Sequence, residues 1–172
     1  MTAYVALLRA VNVAGTGKLP MAKLRAMATE LGLANVRTYI ASGNLLFESE
    51  LSEREVKAAL ETRLEVYAGK AVPIFVRTAA EMAAVHAADP FPDAHGSRHM
   101  VYFLDVAPPD DTQKTARDQA GERIALGTRE IYVDYGDGIR FTKLKLAATK
   151  IGTARNMNTV AKLVAMMSLK GG

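Results

Sequence analysis

The chain has 172 residues, no cysteine and no tryptophan, and 49% of it is hydrophobic, which supports a packed core and argues against disorder. The lack of cysteine excludes disulfide frameworks, thiolate metal sites and cysteine nucleophiles. The net charge of +4 is unevenly placed: residues 1–29 carry Arg9, Lys18, Lys23 and Arg25 and no acid, residues 137–172 carry seven bases against Asp137 alone, and acids outnumber bases between them.

Residues 3–11, AYVALLRAV, form a nearly continuous apolar run that predicts a central strand. Arg9 interrupts it. No basic region precedes the run, so it does not read as a signal peptide. No apolar stretch reaches the roughly 18 residues that would span a bilayer, and a cytoplasmic protein is expected. The loop NVAGTGK follows. Pro20 then suits a first helical turn. Met21, Leu24, Ala28 and Leu31 recur at helical spacing, with Gly32 placed to end the helix.

Val36–Ala41 and Leu45–Glu48 predict two strands joined at Ser42-Gly43-Asn44. Ser52 with Glu55 is a capping-box pair. Val56, Leu60, Leu64 and Tyr67 then line one helical face up to Gly69, and Val72–Arg77 completes a β-α-β-β-α-β order. This is the ferredoxin-like arrangement, expected over residues 1–78.

A second, smaller α+β lobe is expected over 79–172. Thr78 with Glu81 opens a helix with Met82 and Val85 inward, and the prolines of DPFPD (89–93) break it. Residues 99–105 predict a strand. Pro108-Pro109-Asp110-Asp111 resembles a helix start. Residues 123–127 and 129–135 predict strands, Gly136-Asp137-Gly138 a turn and Ile139–Phe141 a short extended piece. The last helix is expected from about Asn156 to Leu169.

In a sheet of order 4-1-3-2, the end of the first strand, the 42–44 turn and the connection bearing Lys70 lie at one edge. Arg9, Asn12, Gly15, Gly17, Lys18, Ser42, Gly43 and Asn44 therefore form a candidate anion-binding site, with glycine-exposed N–H groups and a lysine charge. AGTGKL is not a P-loop: the glycine spacing differs and Leu19 stands at the hydroxyl position. A tight turn with Asn12 capping local backbone would use the same residues. A second candidate comprises Arg155, Asn156 and Asn158 entering the last helix, with Lys143 upstream. Asn and Thr there also fit simple helix capping.

His95 and His99 are four apart, but Gly96 and the nearby prolines oppose a helix aligning them. No second ligand pair accompanies them, so no metal or cofactor is expected. Ser42 and Ser97 have no evident base, no catalytic residue is assigned, and the middle carboxylates read as a solvated face.

YVALLRAVNVAGTGKLPMAKLR (4–25), NVRTYIASGNLLFES (35–49) and TARNMNTVAKL (153–163) closely resemble the bacterial family known as domain of unknown function 1697. The resemblance implies a two-lobed α+β fold with a ferredoxin-like part, and it supplies no function. Where the family has RNWNTV this chain has Met157, which favours a packing role at that position. Three readings follow. The residues favour a non-catalytic binding protein for nucleic acid or a phosphorylated small molecule. An enzyme acting on a phosphorylated small molecule, and a structural or interaction protein, monomeric or homodimeric, are the alternatives. The aromatic signature of RNA-recognition strands is absent.

Overall fold

The computed structural model describes residues 1–9, 18–137 and 142–170. Asn12, Gly15 and Gly17, the Gly138 end of the expected turn and the extended piece at 139–141 lie outside the described residues. By internal contact the chain forms two units, Met1–Glu81 with Ala165–Gly172, and Met82–Val164. The architecture is mixed α+β, with two antiparallel four-stranded sheets and four α-helices among the described residues.

The first unit runs β1 (Thr2–Leu8), α1 (Met21–Glu30), β2 (Ala34–Tyr39), β3 (Asn44–Ser49), α2 (Glu53–Ala68) and β4 (Ile74–Thr78). Its sheet order is β2-β3-β1-β4, antiparallel throughout, as expected from the sequence. Alternation along β1 sends Tyr4, Ala6 and Leu8 into a core with Leu24, Met27 and Ala28 of α1 and Val56, Leu60 and Leu64 of α2. Tyr4 stacks on its cross-strand partner Phe47 at 5.5 Å between ring centroids. Val5, Leu7, Leu46 and Phe75, on the opposite face, are buried too, which explains why β1 is apolar without interruption.

Local sequence rules set the helix limits. Ser52 and Glu55 form the reciprocal capping box, and Thr78 and Glu81 form a second at the start of α3 (Ala79–Ala87). Gly69 ends α2 in the left-handed region at φ 74°, where a side chain would be strained. Asn35, at φ 51°, accompanies a register shift in β2 and donates to Glu48.

The second unit continues with β5 (His99–Phe103), β6 (Arg123–Leu126), β7 (Glu130–Asp134), a 3₁₀ segment (Ala147–Ile151), β8 (Thr153–Asn156) and the start of α4 (Met157–Lys170). Its order, β6-β7-β5-β8, repeats that of the first unit with β5 in the place of β1. One face packs Leu104, Ile131 and Val133 against Leu146, Ala116 and Ala148. Irregular segments thus stand where the first unit has helices.

Several expectations need correction. β1 ends at Leu8, so Arg9 follows the strand instead of belonging to it. Ile40 and Ala41 fall in the turn and Asn44 in β3, because Ile40 at φ 50° leaves the strand conformation early. Tyr67, in the last turn of α2, is exposed, and the buried stripe ends at Leu64. No helix follows Pro108-Pro109: residues 110–115 make turns, since this polar stretch has no apolar stripe to bury. Residues 153–156 form β8, and α4 begins one residue later than expected.

Leu60→Ala should lower stability by about 2–5 kcal/mol through the cavity it leaves, read as a shifted urea midpoint with unchanged slope. A Cβ on Gly152 would lie 2.5 Å from the Phe103 carbonyl oxygen. Gly152→Ala should therefore cost roughly 1–3 kcal/mol by forcing β8 away from β5, in the same assay.

Candidate functional site

The end of β1 is closed from both sides. The Leu8 N–H donates to the Gly43 carbonyl at 2.9 Å and the Arg9 N–H to the Pro73 carbonyl at 3.0 Å. The strand end, the turn before β3 and the connection before β4 therefore share one edge of the first unit, bringing Arg9, Ser42, Gly43 and Asn44 together. Gly43 holds φ 90°, a conformation that favours glycine. Asn44 is fully buried, and its Nδ2 donates to the Tyr39 carbonyl at 2.8 Å and to Ser42 Oγ at 3.0 Å. Its carboxamide nitrogen holds the turn in shape.

Lys18 is exposed, one residue before Leu19, which is anchored in the core. It precedes α1, whose N-cap is Pro20, with no side-chain cap and no acid in the first turn. A basic residue thus stands beside a helix start that no carboxylate neutralises. A hollow of about 240 Å³ is lined by Glu61, Thr62, Glu65, Ala71, Val72 and Pro73. The two glutamates make it a poor seat for an anion.

In the second unit, Arg155 lies on β8 and is buried. Its Nη1 donates to Thr153 Oγ1 at 2.9 Å and to the Ala154 carbonyl at 2.8 Å, and burial pushes the guanidinium down to about 10. Two of the amides at the helix start that follows Arg155 are engaged within the chain. The Met157 N–H donates to the Gly96 carbonyl at 3.1 Å, and the Thr159 N–H to Asn156 Oδ1 at 2.9 Å. Asn156 is the cap of α4. Asn158 Oδ1 lies against Gly96, where a Cβ would approach it to 2.1 Å. Lys143 is exposed, and Met157 is buried as a packing residue.

The sequence reading missed a charged cluster on one face of the second sheet. Alternation places His99 on β5 and Glu130, Tyr132 and Asp134 on β7 on that face, and all four are buried. These carboxylates are not a solvated face. Arg123 Nε and Nη2 donate to Asp134 at 2.8 and 2.6 Å. Burial alone would raise the Asp134 carboxyl, but the Gly136 N–H and Arg123 hold it below its ordinary value. Burial pushes the Tyr132 phenol up to about 12, and its hydroxyl donates to the Val85 carbonyl at 2.8 Å. Ser97 does have an imidazole beside it: Ser97 Oγ lies 2.7 Å from His95 Nδ1. Both side chains are exposed in a tight turn. Among the described residues no three potential metal ligands gather to hold an ion, and no helix is long and apolar enough to cross a membrane.

Two antiparallel sheets that share one strand order, with a polar edge at the end of the first central strand, define a two-unit α+β protein. The chain belongs to the family described as protein of unknown function (DUF1697), whose model matches residues 1–132. It is similar to a solved structure, the conserved bacterial protein SP0830 from Streptococcus pneumoniae. The two share 25% identity at a TM-score of 0.80, over 96% of this chain and 98% of that one. No curated protein matches the sequence.

Asn44→Ala leaves the Tyr39 carbonyl without its side-chain donor and should cost about 1–3 kcal/mol. Urea unfolding checks the loss, with Ser42→Ala as a milder companion.

Proposed function

We propose that this protein is a non-catalytic binding protein for an anionic ligand, either nucleic acid or a phosphorylated small molecule. The ligand sits at the β1 end of a ferredoxin-like lobe formed by residues 1–78. The observation that carries this reading is the pair of backbone bonds, Leu8 to Gly43 and Arg9 to Pro73, which gathers Arg9 and the Ser42–Gly43 turn at one edge. Lys18 and the uncapped start of α1 add positive charge and donor groups.

The sheet face itself is a poor platform for bases. Tyr4 and Phe47 point into the core, and the residues of the opposite face are buried. Stacking readout of RNA is thereby disfavoured, and contact with phosphate groups is favoured. In this reading Asn44 shapes the turn, Arg155, Asn156 and Asn158 support the second unit, and Lys143 contributes surface charge. The cytoplasm, where phosphorylated ligands and nucleic acid are abundant, is the corresponding location.

Tripolyphosphate and a labelled mixed-sequence RNA, titrated at 20 mM and 200 mM salt, test the proposal. Binding should weaken steeply with salt for RNA, and Lys18→Glu should weaken it at least about tenfold, the loss of roughly 1.4 kcal/mol. No binding of either probe at low salt overturns the reading. Turnover of a phosphorylated probe would replace it with the enzymatic alternative.

A further inference from the structure

Residues 88–98 join α3 to β5, and 88–95, their first part, carry no regular secondary structure. Beyond them the chain is fixed through its backbone: the Gly96 carbonyl accepts from Met157 and the Arg98 carbonyl from Tyr135 at 3.0 Å. Residues 88–95 are held to the sheet by side chains. Asp89 Oδ1 lies 3.4 Å from His99 Nε2. The Phe91 ring sits 4.6 Å from the Arg123 guanidinium carbon and 5.5 Å from the His99 ring. Asp93 accepts from Arg123 Nη2 at 3.2 Å.

We propose that residues 88–95 form an acid-released strap: it lies on the sheet while His99 is neutral, and protonation of His99 opens it and exposes the imidazole.

His99 is 1% exposed, and its Nε2 makes no hydrogen bond. An imidazolium there would be desolvated without a well-made bond to compensate. The groups facing it are Asp89 and Asp93 from the strap, Asp134 and Tyr132 from β7 and Arg123 from β6, with Arg155 further along the same face on β8. Asp93 and Asp134 are already paired with Arg123, which leaves Asp89 as the main carboxylate favouring a charged ring. Burial outweighs it and holds His99 below the ordinary imidazole value. An opened strap returns the ring to water, where it titrates near that value, about 6.5. The open form therefore binds the proton more tightly. The strap is secure above pH ~6.5, and its closure weakens as pH falls below it. Asp134, held low, adds a loss in the same direction only in stronger acid.

Hydrogen exchange of the full chain, measured by mass spectrometry at pH 7.5 and 5.5 and corrected for intrinsic rates, tests this. Opening of residues 88–95 should rise up to about tenfold at the lower pH, the limit for one proton over that interval. The β1–β4 sheet should not change, and His99→Gln should lose the pH response. Unchanged protection of the strap in the natural chain overturns the proposal, as does a response that survives in H99Q. If H99Q does not fold, ring resonances of the natural protein decide. A His99 that titrates below exposed His95 supports the strap, and one that titrates together with it overturns the strap.

Discussion

A strand that is hydrogen-bonded along both edges and buried on both faces has no room for a polar side chain that lacks a partner. β1 meets that constraint by carrying none from Val5 to Leu8, all fully buried. Its ladder stops where the first charge, Arg9, appears. The backbone bonds of Leu8 and Arg9 then decide which loops lie at the edge. The polar character of that edge follows from the apolar character of the strand: the first charged side chain, Arg9, stands where β1 ends, beside the Ser42–Gly43 turn.

The second sheet meets the same constraint differently. Its face with His99, Glu130 and Asp134 is buried and ionisable, so each group must be matched. Arg123 matches two carboxylates while keeping 43% of its side chain in water, against 10% for Asp134. Partial exposure keeps the desolvation cost below that of a sealed pair, and the Phe91 ring shields the guanidinium from one side. His99 is the member whose Nε2 is left without a hydrogen bond.

Features governed by near neighbours were legible in the sequence. Ser52 with Glu55, Thr78 with Glu81, and Gly69 each act within a few residues, and each does what local chemistry dictates. The strand order of the first unit also followed from element order, and with it the edge shared by Arg9 and Gly43. The segment 153–156 was not legible. It is four residues long, pairs among the described residues only with the distant β5, and ends in an asparagine that also caps α4. Asp89 and His99 meet across two prolines, so their spacing carries no helical or strand period. Period-two alternation of His99, Val101 and Phe103 against Glu130, Tyr132 and Asp134 was the available signal for that cluster.

The two units share a strand order and differ in what covers it. Helices α1 and α2 satisfy their own backbone and need only an apolar stripe toward the sheet. The segments over the second sheet lack that economy, so polar side chains serve the main chain. Thr112 donates to Pro109, Thr115 to Asp111 and Thr149 to Leu146, Glu122 accepts from Ala120 and Thr142, and Arg117 bridges Lys145 through backbone. Hydroxyls and carboxylates committed this way are not available to a ligand. In the first unit α2 carries part of that duty: Lys57 donates to the Ile74 carbonyl and Glu61 accepts from the Ile74 N–H, while Lys18 stands exposed before α1.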